Sequence, residues 1–141
     1  MDIFEFRKRG ESRVDERTER WAEAAIGEAI EVHRHLGPGM PEKAYRNALC
    51  HEFELRGIPY QYEVPTPIYY KGKLVAEGRV DILVDQVLVL ELKVQQALTE
   101  VDRGQALGYL EARNLELALL INFRVAILKD GIKRVINTYR R

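Results

Sequence analysis

Residues 80–94 read VDILVDQVLVLELKV. Nearly every side chain in this stretch suits a buried strand, yet Asp81, Glu91 and Lys93 stand inside it. Strand side chains alternate between the two faces of a sheet. Over 87–94, therefore, Leu88, Leu90, Leu92 and Val94 share one face, and Val87, Val89, Glu91 and Lys93 share the other. The second face starts apolar and ends ionic. Asp85-Gln86 is a tight-turn dipeptide between the segments 78–84 and 87–94, so the two are expected to pair antiparallel, with Asp81 opposite Val89 to Glu91. Three charged groups then meet in one small area. Charges taken out of water need partners or a metal.

The bland reading of Glu-x-Lys is an ion pair at a strand end, a pattern common by chance. An Asp ten residues upstream on a neighbouring strand changes its context. Two carboxylates on adjacent strands offer hard oxygen ligands to Mg²⁺ (or Mn²⁺), which retains waters and favours phosphate-bearing substrates. A lysine beside them suits a phosphate oxygen or an attacking water.

Working outward, the segment from Arg17 is helical, with Trp21, Ala25, Ala29, Val32 and Leu36 on one face at spacings of three and four. Gly37-Pro38-Gly39 ends it. Pro41 suits the first turn of a second helix, which runs to about Arg56 with Gly57 as its stop. Residues 59–70 form an extended strand whose Pro65 and Pro67 favour an edge or a bulge. Lys71-Gly72-Lys73 is a turn. Thr99 is the expected N-cap, with Asp102 as its capping-box partner, of a helix ending near Arg113. Leu115–Ile121 is a strand apolar at every position but Glu116, and Asp130-Gly131 is a hairpin signal between 125–128 and 132–136. The order is helix, helix, three strands, helix, strands, which is a mixed α/β domain. Residues 1–16 are expected to be a charged tail or frayed helix start, and 17–141 a single domain.

Composition bounds the function. The 141 residues are 46% hydrophobic and 31% charged, with 22 Lys and Arg against 22 Asp and Glu. A formal net charge of zero argues against indiscriminate adhesion to nucleic acid or anionic membrane, while leaving room for a local basic patch. One cysteine, Cys50, forbids an intrachain disulfide and fits a reducing compartment. The first residues have no apolar run of the secretory kind, and no apolar run approaches membrane-spanning length. The expectation is a cytoplasmic protein with no membrane partner.

The Asp81, Glu91 and Lys93 arrangement resembles the PD-(D/E)XK nuclease superfamily, with Val80 where a Pro often precedes the Asp. Upstream, Gly39, Glu42 and Tyr45 in LGPGMPEKAY give G-x-x-E-x-x-Y, the signature of the bacterial GxxExxY proteins. The likeness continues through RGIPYQYEVPTPIYYKGK, ELK, LLINF and LKDGIKRVIN, over about residues 20–137. It implies a restriction-endonuclease-like α/β fold, a mixed central sheet flanked by helices and ending in a C-terminal β-hairpin.

It also implies roles. Asp81 and Glu91 would ligate Mg²⁺ or Mn²⁺, joined by the Leu92 backbone carbonyl. Glu42 matches a first-helix acid that supports the metal site and is an additional candidate ligand. Lys93 would position water or neutralise phosphate. Gln105 and Tyr109 match the Q-x-x-x-Y motif of exonuclease-type members, Gln105 meeting the lysine or a phosphate and Tyr109 orienting the strand. Tyr45, Arg103 and Tyr109 are the candidate substrate contacts. Lys71, Lys73, Arg79 and Arg113 are further cations for phosphate, each by default a solvated charge. His33 and His35, two apart on a helix, make a poor metal pair. Gly104 and Gly108 would permit close helix–sheet approach.

The resulting expectation is a metal-dependent nuclease acting on nucleic acid, DNA foremost. The competing reading is a catalytically weak nucleic-acid-binding or protein-interaction module on the same fold. Unrelated enzyme chemistry is disfavoured, because no nucleotide-binding glycine loop or nucleophile triad stands out. Oligomeric state is open.

Overall fold

The computed structural model of the protein describes residues 14–138. Most of the charged segment expected over 1–16 lies outside the described residues. Three helices and five strands follow in the order α1 (Glu16–Leu36), α2 (Glu42–Arg56), β1 (Tyr60–Tyr70), β2 (Lys73–Val84), β3 (Leu88–Lys93), α3 (Glu100–Arg113), β4 (Leu117–Asn122) and β5 (Ile132–Ile136). The strands make one mixed sheet in sequence order, β1-β2-β3-β4-β5. Only β3 and β4 are parallel, and α3 supplies the crossover that parallel neighbours require. Among the described residues no helix is long and apolar enough to cross a membrane.

Two cores form because the sheet is covered on both sides. On one face Leu88, Leu90 and Leu92 pack with Ala25, Ala29, Tyr45, Leu49 and Phe53 from α1 and α2. On the other, Val89, Ala118 and Leu120 pack with Ala106, Tyr109 and Leu110 from α3. This explains why β4 is apolar from Leu117 to Ile121: those residues feed both cores, as expected of a strand buried on two sides. The alternation read from the β3 sequence is the alternation observed.

The turn that sets the register is held from outside. Asp85 and Gln86 both have positive φ, 47° and 63°, and Val87 N donates back to Val84 O, a tight turn after which Val84 pairs with Leu88. Trp21 Nε1 and Arg17 Nη2 donate to Asp85 Oδ2 at 2.8 and 2.7 Å. The Arg17 and Trp21 hydrogen bonds hold the Asp85 carboxyl below its usual range. The start of α1 thereby fixes the β2–β3 connection. Asp15 caps α1 by accepting from Arg17 N and Thr18 N, and the acidic first turn and basic last turn complement the helix dipole.

Three local expectations need correction. Asp130-Gly131 does not join two strands: Leu128–Gly131 is a short 3₁₀ turn, and the C-terminal antiparallel pair is β4 with β5. Leu128 is drawn into the first core and β5 takes the open edge of β4, so a hairpin within 125–136 would forfeit both. Gly104 and Gly108 face open space. The close approach is at Gly78 on β2, where a Cβ would lie 2.6 Å from the Tyr109 ring. Pro41 is the N-cap of α2 rather than a first-turn residue.

Candidate active site

β2 and β3 pair through Ile82↔Leu90, Leu83↔Val89 and Val84↔Leu88, and the ladder ends there. The next position brings Asp81 beside Glu91. Asp81 N donates to Glu91 Oε1 at 3.4 Å, and Leu92 N donates to Asp81 Oδ2 at 2.7 Å. The three-charge cluster expected from alternation and the tight turn is thus present.

Its electrostatics follow from burial. Glu91 is 3% exposed. Desolvation, reinforced by the negative charge of Asp81, pushes its carboxyl up to about 9. Asp81 is also raised by burial, against the opposing effects of the Leu92 amide and Lys93. Glu42 stands on the exposed first turn of α2. Partial desolvation and the nearby Asp81 charge raise its pKa, while Lys93 and Arg46 work the other way. Protonated Glu91 is the group that lets two buried carboxyls sit together without a cation.

Lys93 is held in place. Its Nζ donates to Gln105 Oε1 at 2.9 Å and lies 3.7 Å from Asp102 Oδ1. Asp102 is a residue whose part in this cluster the sequence reading missed. The capping box with Thr99 is present, but the same buried carboxylate also accepts from Gln95 and faces Lys93. A cap residue one turn before Gln105 on α3 was the available signal. It could be used only once α3 was known to pack beside the end of β3.

The remaining candidates divide. Gln105 reaches Lys93, whereas Tyr109 is buried in the second core against Gly78. Tyr45 is fully buried. Its ring stacks on Phe123 at 4.2 Å, and its hydroxyl donates to Gly37 O and accepts from Met40 N. Tyr45 therefore pins the α1–α2 connection from inside the core, which corrects its assignment as a substrate contact. Tyr109, 8% exposed, is corrected likewise to a packing role. Arg113 clamps β1, donating to Thr66 Oγ1 and Pro65 O, so it is not a free cation for phosphate. Arg103 is half-buried in the first turn of α3, and its side chain has no hydrogen bond or ion pair among the described residues. At Leu92 the amide N–H, not the carbonyl, is the group joined to Asp81. His33 meets Val125 O and His35 meets Glu31, so they do not act as a pair.

Tyr45→Phe is expected to cost roughly 1–3 kcal/mol of stability, because it strips a partner from buried backbone groups at Gly37 and Met40. Denaturant unfolding measures this. Unchanged stability with lost activity would return Tyr45 to the substrate.

Among the described residues, no set of three or more His, Cys, Asp or Glu side chains forms a ready-made cation cage. The donor set suits Mg²⁺ or Mn²⁺ in another way. Mg²⁺ is bound through one or two carboxylates plus water and substrate phosphate, and Asp81 with Glu91 offers such a pair of oxygen donors.

An acid at the end of a hairpin ladder, a Glu-x-Lys on the next strand, and helices on both faces of a mixed sheet define a restriction-endonuclease-like domain. The chain belongs to the PD-(D/E)XK nuclease superfamily, whose family model matches residues 19–135. Comparison with curated proteins and with solved structures gave no match.

Proposed function

We propose that this protein is a nuclease that hydrolyses phosphodiester bonds, in DNA foremost, with Mg²⁺ or Mn²⁺ held by Asp81 and Glu91. The observation that carries this reading is the Asp81–Glu91 pair, linked through the Asp81 amide to Glu91 Oε1, with a fixed lysine beside it. A bound divalent cation supplies a nucleophilic water of lowered pKa and neutralises charge gathering on the phosphoryl oxygens.

The chain's own residues do the rest. Glu91 would have to release its proton to serve as a ligand, so binding would be favoured as pH rises. Asp81 is aimed by the Leu92 amide, which donates to its Oδ2, and would serve as a ligand from that held position. Lys93 orients the attacking water or meets a phosphate oxygen. Gln105 and Asp102 act through Lys93 as positioning residues, limiting the directions its ammonium can take. Glu42, raised by partial desolvation and then by the Asp81 charge, would complete the shell through water.

Gln105→Ala is expected to lower cleavage about ten- to a hundredfold, the range for lost outer-shell partners. Stability should change by only about 0.5 kcal/mol, because the residue is exposed. Paired melting and cleavage measurements separate the two. The test of the function itself is a digestion panel over linear, circular, single-stranded and branched DNA. It is run with Mg²⁺, with Mn²⁺ and with chelator, using Asp81→Ala as control. No metal-dependent product on any substrate would leave a non-catalytic module on a nuclease fold.

A further inference from the structure

Beside the carboxylate cluster lies an open groove between α2 and β1. Its volume is about 640 Å³, and it is lined by Glu42, Lys43, Arg46, Asn47, Tyr62 and Glu63. Glu42 belongs to both the groove and the site. Glu42 and Arg46 line the groove, and the Arg46 charge is felt at Asp81 as well as at Glu42, so the groove adjoins the carboxylate cluster on the Glu42 side.

Arg46 is held incompletely. One terminal nitrogen donates to Glu63, and the other reaches Asn47 Oδ1 at 3.4 Å. Its Nε is buried and has no hydrogen-bond partner. A guanidinium presents a fixed fork of donors matched to phosphate oxygens, and a buried donor left unpaired is costly. The guanidinium carbon sits 5.6 Å from the centroid of the Tyr62 ring, while Tyr62 remains 55% exposed. An open aromatic ring beside a basic groove suits base stacking, which needs a base free of its own duplex neighbours.

Glu63 adds a third feature. It has φ 48°, a left-handed conformation uncommon outside glycine. The β1–β2 ladder passes from Tyr62↔Ile82 to Val64↔Val80 and omits Glu63 with Asp81. The interruption therefore falls on the edge strand level with Asp81. There the Glu63 carboxylate is shared between Arg46 and, at 3.9 Å, Arg79.

We propose that this groove is the subsite for one unpaired nucleotide next to the bond that is cut. Arg46 takes its phosphate, Tyr62 stacks on its base, and Glu63 holds the Arg46 fork in register until the strand displaces it. Glu63 then keeps Arg79 as its partner. The inference rests on the nuclease reading and specifies its substrate as a strand with an unpaired base at the site.

The test is binding of a labelled single-stranded oligodeoxynucleotide, and of a blunt duplex of the same sequence, to the full chain in chelator, where no cleavage intervenes. Tyr62→Ala should weaken single-strand binding about tenfold. Tyr62→Phe should restore it, and duplex binding should be unchanged by either. Arg46→Gln should weaken binding and lower the slope of log affinity against log salt by about 0.7, the loss of one phosphate contact on a single strand. Glu63→Gln should tighten binding several-fold, by removing the competing anion. A melting curve for each variant checks its fold, and the Tyr62→Phe and Glu63→Gln responses decide the matter if Arg46→Gln is unstable. Wild-type single-strand affinity and salt slope in folded Tyr62→Ala and Arg46→Gln would overturn the subsite. If the wild type still cleaves in metal, that result leaves the nuclease reading standing. A wild type that binds neither probe and cleaves nothing overturns both.

Discussion

Asp81→Asn is expected to abolish metal-dependent cleavage, with a loss of at least about a hundredfold, the upper range even for residues that only support a metal ligand. The same variant should lose the rise in melting temperature that Mg²⁺ or Mn²⁺ gives the wild type. That rise exists because the ion binds the assembled site better than the unfolded chain. Without metal, the variant should be as stable as the wild type or more so. The substitution removes the charge that burial penalises at Asp81, beside a protonated Glu91, at almost constant volume, and an amide in its place still offers an oxygen to the Leu92 amide. Melting curves with and without each ion, beside a cleavage assay, read all three effects. Equal metal responses in the two proteins would mean that Asp81 is not a ligand, and would favour a module that binds nucleic acid without cutting it.

Glu91 should make the metal-free protein lose stability as pH rises. Its folded pKa, about 9, lies above the ordinary 4.5. Between those values the native state holds a proton that the unfolded chain has released, so unfolding becomes easier with each step upward. The contribution is fully present below about 4.5 and is lost by the time the pH has passed through about 9. The slope from this group is at most roughly 1.4 kcal/mol per pH unit. Glu91→Gln keeps the shape and the neutral charge at every pH. It should flatten this part of the profile and exceed the wild type in stability above about pH 8, a window set by the raised pKa. Saturating Mg²⁺ should flatten the wild-type profile as well, and should do nothing to Glu91→Gln. Chemical denaturation in chelator from pH 5 to pH 9 makes the measurement. Parallel profiles for the two proteins would show that Glu91 is ionised throughout and that the Asp81–Glu91 proton is not shared.

Much of the cluster was legible in the sequence because it depends on local rules. Strand alternation put Glu91 and Lys93 on one face, and the Asp85-Gln86 turn put Asp81 within reach of them. Gly57 in the left-handed region, Thr99 with its capping box, and the prolines on an edge strand are likewise consequences of residue chemistry within a few positions. The likeness to the PD-(D/E)XK superfamily drew on the same short stretches, and the match over residues 19–135 agrees with it.

What the sequence could not decide was which side chains are taken up by packing. Tyr45 and Tyr109 sit in motifs whose other members, Glu42 and Gln105, lie at the site, yet both rings are spent on the cores because α2 and α3 press them against Phe123 and Gly78. Asp102 looked like a helix cap and serves also as a partner for Lys93, since only the placement of α3 beside β3 brings residues nine apart within 3.7 Å. Asp130-Gly131 had the local chemistry of a hairpin, but pairing with β4 and burial of Leu128 outweighed it. The sequence by itself determined the helices, the strands up to β4 and the Asp81, Glu91 and Lys93 cluster, because those follow from side-chain period and turn geometry along a single chain. The tertiary structure alone decided which candidates remain free to act, because burial and partnership are properties of surfaces that meet only when helices from distant segments close over the sheet.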